Sequence, residues 1–113
     1  MEKFVIDGGT ALSGTIVPAG NKNGALPILA ASVLTEEEVV VRNVPKIKDI
    51  GAMLALLESL GVRITWLSDH EVALCAADLT AEEAVIDREL SERIRASFLL
   101  AGPLLARFGR VRM

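Results

Sequence analysis

The period of the hydrophobic pattern changes repeatedly along these 113 residues, and that alternation leaves few folds open. "EKFVID" alternates, Gly8 and Gly9 turn it, and "ALSGTIVP" is a second extended piece closed by Pro18. Residues 25–34 are rich in Ala and Leu, which predicts a helix. "EEEVVVRNVP" is β-branched and predicts a strand ending at Pro45. Ile47, Ile50, Met53, Leu54, Leu57 and Leu60 then recur at helical spacing, with Gly61 placed just past the end. "VRITWL" and "EVALCA" alternate on either side of Ser68, Asp69 and His70, the pattern of a hairpin. The order is β-α-β-α-β-β, an α/β arrangement.

The order then begins again. "EEAVID" predicts a strand, residues 89–108 a helix interrupted near Gly102 and Pro103, and "GRVRM" another strand. About one and a half units fit the chain, joined by element order and not by residue identity.

Composition narrows the function. At 51% hydrophobic and 24% charged the chain has enough apolar side chains for a core. A net charge of −3 provides no global basic field for nucleic acid or an anionic membrane, so an anion site has to be local. The apolar runs 25–34 and 98–106 fall well short of the ~20 residues that span a bilayer. "MEKFVIDGG" alternates and carries Glu2 and Asp7, unlike a secretory leader. One cysteine, Cys75, leaves no partner for an intrachain disulfide and too few thiolates for a cysteine zinc site.

Two places could bind an anion. "GNKNGALP" opens an apolar helix with Lys22 between two asparagines, and the unpaired amides of a helix start favour negative charge. Gly20 and Gly24 allow close backbone approach, and Pro27 is placed in the first turn. Spacing favours the simpler alternative, with Asn23 as the cap and Lys22 as a solvated loop lysine. In "DRELSERIRAS" a helix would bring Arg88, Ser91 and Arg95 to one face beside Ile94, Phe98, Ala101 and Leu105. Arg93 pairs with Glu89 at i, i+4, and Arg95 could pair with Glu92, so spacing leaves Arg95 open. His70 is a solvated turn residue on this pattern, Cys75 and Trp66 are core, and "TEEEV" is a solvated acidic link. No Walker loop, dinucleotide fingerprint or Ser/His/Asp set is present.

"AGNKNGALPILAASVL", "VRNVPKIKDI", "LLESLGVRI" and "IRASFLLAGPLLARFG" together resemble the N-terminal part of the UDP-N-acetylglucosamine 1-carboxyvinyltransferase family of enolpyruvyl transferases. The resemblance runs across essentially the whole chain. The sister family, the enolpyruvylshikimate phosphate synthases, usually has a Gly-Ser-Lys-Ser type stretch in place of Asn21, Lys22 and Asn23, and lacks the "LAGPLLARFG" wording.

The resemblance implies an inside-out α/β barrel of two similar domains, each built from β-α-β-α-β-β units. Residues 1–21 would be its initial strands and 22–113 part of the first catalytic-side domain. It implies transfer of the enolpyruvyl group of phosphoenolpyruvate to the 3′-hydroxyl of UDP-N-acetylglucosamine, with release of phosphate and no metal or other cofactor. That reaction belongs to cytoplasmic peptidoglycan synthesis, and so to cell-wall biogenesis, cell shape and division. Lys22 would contact phosphoenolpyruvate as the catalytic residue, Asn23 would help hold both substrates, and Arg95 would contact the UDP-sugar. The family's general acid, a cysteine or aspartate, follows the "ARFG" helix in a loop beyond Met113, and Cys75 does not match it. These 113 residues are therefore expected to need the rest of an enzyme chain for activity. The alternatives are an enolpyruvylshikimate phosphate synthase-like enzyme and a non-catalytic anion-binding module.

Overall fold

The hairpin follows the sequence pattern most directly. In a computed structural model describing residues 1–80, 85–86, 88–93 and 95–113, β2 (Arg63–Ser68) and β3 (Glu71–Cys75) are antiparallel around a turn at Asp69 and His70. A bulge between Trp66 and Ser68 absorbs one residue. β1 (Glu38–Arg42) pairs antiparallel with the other edge of β3, from Glu38 opposite Cys75 to Arg42 opposite Glu71, giving the order β1-β3-β2. Val72, Ala73 and Leu74 on the central strand are buried, as a doubly flanked strand requires.

Two helices contribute most of the core. α1 (Lys22–Ala31) buries Ala25, Leu26, Leu29 and Ala30, and α2 (Lys48–Ser59) buries Ile50, Met53, Leu54, Leu56 and Leu57. α2 ends as its sequence predicts. Gly61, at φ +102°, donates to the Glu58 carbonyl and Val62 to that of Leu57, the paired bonds of a Schellman closure.

The predicted initial strands do not form. Residues 2–7 and 11–18 have no regular secondary structure, and Phe4, Val5, Ile6, Leu12, Ile16 and Val17 lie exposed. Alternation supplies a face but not a neighbour, and among the described residues no strand edge pairs with them. The complete unit is therefore α-β-α-β-β.

The predicted helix over 89–108 is also divided. α3 (Arg88–Glu92) ends in a turn at Arg93, a 3₁₀ segment runs Arg95–Leu100, and α4 spans Ala101–Phe108. Pro103 is the third residue of α4, where its missing N–H costs little. The break falls upstream of it instead of at Gly102 and Pro103. A proline ring at 103 crowds the carbonyl of residue 99, which is in the 3₁₀ segment. α4 closes on Gly109 at φ +71°. The predicted strand over 82–87 lies largely outside the described residues, and the predicted strand "GRVRM" is reduced to one isolated parallel bridge between Val85 and Arg112, since Gly109 at its start closes α4.

Arg107 fastens α4 to the body. Its Nη1 donates at 2.8 Å to the carbonyls of Val33 and Ala76, and its side chain is only 11% exposed. Trp66 and Cys75 differ from their expected core positions. Trp66 is 41% exposed on edge strand β2, with the Lys46 ammonium 5.5 Å from its ring centre. Cys75 is half-buried at the end of β3, where Arg63 donates to its sulfur and the thiol faces the Glu36 carbonyl. His70 is exposed in the turn, yet its Nδ1 donates to the Val44 carbonyl at 2.9 Å, which fixes the tautomer because a carbonyl can only accept.

Candidate active site

α1 starts three residues earlier than its apolar pattern. Asn21, not Asn23, is the N-cap, with extended backbone and a side-chain oxygen that accepts from the Asn23 amide at 2.7 Å. The Ala25 amide already donates to the Asn21 carbonyl, so the amides without a helical role are those of Lys22 and Gly24. Pro27 consequently stands sixth in the helix, not in its first turn. Lacking an N–H, it leaves the Asn23 carbonyl without its usual helical donor. The mouth of α1 thus presents both amides.

A tight backbone contact fixes this mouth. A Cβ added at Gly20 would collide with the Asn43 carbonyl and meet Pro45 Cδ at 2.9 Å. Asn43 itself has φ +56°, the left-handed conformation that asparagine tolerates best after glycine. Gly24, by contrast, faces open space.

Lys22 is not a free loop lysine. Its Nζ lies 2.8 Å from Asp49 Oδ2, and both side chains are about half exposed, at 47% and 45%. Asp49 stands in the first turn of α2, where a carboxylate is favoured by the helix dipole. The pair closes one side of a cavity of about 350 Å³ walled by Lys22, Leu26, Asp49, Arg93, Arg95 and Ala96. A second cavity of about 420 Å³ shares Leu26, Arg95 and Ala96 and adds Asn23, Pro27 and Phe98. The structure therefore brings Lys22, Asn23 and Arg95 into two adjoining cavities, with Arg95 common to both.

Arg95 reaches this position by a different route from the one its spacing suggests. α3 ends at Glu92, so Arg88, Ser91 and Arg95 do not share a helical face, and Ile94 lies outside the described residues. Arg88 takes Glu92 at 2.8 Å and Arg93 takes Glu89 at 3.0 Å. Both acids of α3 are thereby occupied, and the Arg95 side chain carries no ion pair or hydrogen bond among the described residues. Sequence reasoning missed Asp49 and the cavity role of Arg93. An aspartate in the first helical turn after "VPKIK" was the available signal for the former; Arg93 had none, because its i, i+4 pair with Glu89 is satisfied. Among the described residues no cluster of three His, Cys, Asp or Glu could hold a metal, and no helix is long and apolar enough to cross a membrane.

A site with three cations against one carboxylate suits an anionic ligand. Residues 6–113 match the EPSP synthase (3-phosphoshikimate 1-carboxyvinyltransferase) family. The chain belongs to that family. It is 47% identical over 109 residues to the UDP-N-acetylglucosamine 1-carboxyvinyltransferase of Bradyrhizobium diazoefficiens, covering 96% of this chain and 25% of that protein. It is 46% identical over 113 residues to UDP-N-acetylglucosamine 1-carboxyvinyltransferase 2 of Carboxydothermus hydrogenoformans, covering 100% and 26%. With the Helicobacter pylori protein of the first name it shares 44% over 108 residues, covering 96% and 25%. The chain spans about a quarter of the length of these relatives. The crystal structure of the enolpyruvyl transferase NikO from Streptomyces tendae superposes with a TM-score of 0.72 at 24% identity, over 90% of this chain and 23% of that one. The fold is thus part of the α/β enolpyruvyl transferase fold.

Proposed function

We propose that the chain contributes one wall of the active site of an enzyme that transfers the enolpyruvyl group of phosphoenolpyruvate to the 3′-hydroxyl of UDP-N-acetylglucosamine, releasing phosphate. The observation that carries this reading is the convergence of Lys22, Arg95 and the start of α1 on shared cavities, in a chain up to 47% identical to relatives of that name.

The chemistry fits the residues. The sugar hydroxyl oxygen bonds to C2 of phosphoenolpyruvate and gives up its proton, while the methylene carbon of phosphoenolpyruvate gains one. The methyl group then returns a proton as the C2–O bond to phosphate breaks, giving the enol ether and inorganic phosphate. Negative charge builds on the phosphate as the C2–O bond breaks, beside the carboxylate already present. Lys22, beside helix amides that need no reorientation, stabilises that charge, and one such preorganised donor is worth about 3 kcal/mol of barrier. Asn23 orients the two substrates between the cavities, and the planar fork of Arg95 takes the UDP-sugar. No residue of this chain is assigned as donor to the methylene carbon. Cys75 lines neither cavity.

The same reading makes residues 22–113 part of one domain and 1–21 a segment that pairs as strands only within the partner domain, both completed by the remainder of an enzyme chain. It places the reaction in cytoplasmic peptidoglycan synthesis, where the small-molecule partners are phosphoenolpyruvate and the UDP-sugar, and through it in cell shape and division.

A phosphate-release assay on the complete gene product tests this. Release that depends on both phosphoenolpyruvate and UDP-N-acetylglucosamine is expected. Release with shikimate 3-phosphate instead would move the enzyme to the reaction in the family's own description. Phosphate binding without turnover would make the site a binding module.

A further inference from the structure

We infer that Asp49 is a positioning residue for Lys22, holding its ammonium at the cavity wall by one N–H while the others remain for the substrate phosphate. The inference rests on the enolpyruvyl transfer reading of the site.

Asp49 is the only acid among the described residues lining either cavity. It comes from α2, whereas Lys22 comes from α1, so the 2.8 Å contact bridges the starts of two helices 27 residues apart in sequence. Its place in the first turn of α2 puts a carboxylate where the helix dipole favours negative charge. On a shorter side chain rooted in α2, the carboxylate has a narrower range than the lysine it holds. Lys22 has four rotatable side-chain bonds and, without such a partner, sweeps a wide volume. The pair uses one of the three ammonium donors and so leaves two for a dianionic phosphate.

Two effects of removing the carboxylate follow, and they oppose each other. Loss of one negative charge beside Lys22, Arg93 and Arg95 strengthens anion binding. Loss of the anchor lets the ammonium stray from the geometry in which it meets developing charge, which slows the chemical step. A pair that only ties α1 to α2 would change melting temperature and neither kinetic constant.

The test compares Asp49→Asn, Asp49→Glu, Lys22→Ala and the double variant Lys22→Ala with Asp49→Asn, in the complete gene product. For Asp49→Asn, KM for phosphoenolpyruvate should fall by about threefold to fivefold. Its kcat should fall by about tenfold, and Asp49→Glu should recover part of kcat. In the Lys22→Ala background, Asp49→Asn should lose both effects. Unchanged KM and kcat in Asp49→Asn, or effects of equal size with and without Lys22, would overturn the inference. A wild-type protein that releases no phosphate with either acceptor overturns the functional reading alone. Calorimetric titration with inorganic phosphate then decides the inference, tighter binding in Asp49→Asn supporting it and equal binding refuting it.

Discussion

Lys22 and Lys46 each hold an aspartate, Asp49 at 2.8 Å and Asp69 at 3.0 Å, and both ammonium groups are about half exposed. Their surroundings differ. Lys22 stands at the capped start of α1 with Arg93 and Arg95 on the same cavity wall. Lys46 lies over the ring of Trp66, and its partner Asp69 is 87% exposed in the hairpin turn. The pair is the same in chemistry and distance, so the pair itself does not mark a site. What marks it is further positive charge on one cavity wall, where an incoming anion finds more than one cation already placed.

Replacing each lysine breaks the comparison most sharply. Lys22→Ala should lower turnover of the complete gene product by about a hundredfold to a thousandfold, with a melting temperature close to wild type. Near-normal phosphate release would remove Lys22 from the mechanism and make the two pairs equivalent.

The mouth of α1 can also be disturbed without touching a charge. Gly20→Ala drives a methyl into the Asn43 carbonyl and should destabilise the fold by about 1–3 kcal/mol. Gly24→Ala, in open space inside a helix, should be neutral or stabilising by about 0.5–1 kcal/mol. Urea denaturation of the two variants measures the difference, and equal stabilities would show that Gly20 does not fix the site.

Arg95→Lys keeps the charge and loses the planar fork. UDP-sugar affinity should fall by about tenfold in calorimetry. Unchanged affinity would reduce Arg95 to a surface charge.

The smallest effects belong to the hairpin pair. Lys46→Ala should leave turnover unchanged. The hydrogen bond and positive charge of Lys46 hold the Asp69 carboxyl below its ordinary 3.8. A depressed folded-state value means that the contribution is present above the unfolded pKa and is lost as pH falls through the folded one. Melting temperature should therefore decline slightly between about pH 5 and pH 2, and less so in Lys46→Ala. An identical acid limb in both proteins would show that the pair contributes nothing to folding.

Much of this was legible where a local rule and a tertiary need agree. The α2 stripe, its stop at Gly61 and the turn at Asp69 and His70 follow from period and backbone chemistry, and each is present. The start of α1 was misread because Lys22, Asn23 and Gly24 interrupt the apolar pattern, although a helix begins with its cap and not with its first buried residue. Trp66 was read as core because alternation assigns it a face, but alternation does not provide a layer to cover that face. The same gap explains residues 2–7 and 11–18, apolar, alternating and unpaired among the described residues.

By itself the sequence determined the α-β-α-β-β order of the first unit, the stop at Gly61, and a resemblance that named Lys22, Asn23 and Arg95 together. Only the tertiary structure decided what meets what. It put Asp49 of α2 against Lys22 of α1, gave Glu89 and Glu92 to Arg93 and Arg88, and left Arg95 facing both cavities. Periodicity and caps act over a few residues along the chain, whereas a charge constellation depends on the packing of separate elements, which no local spacing encodes.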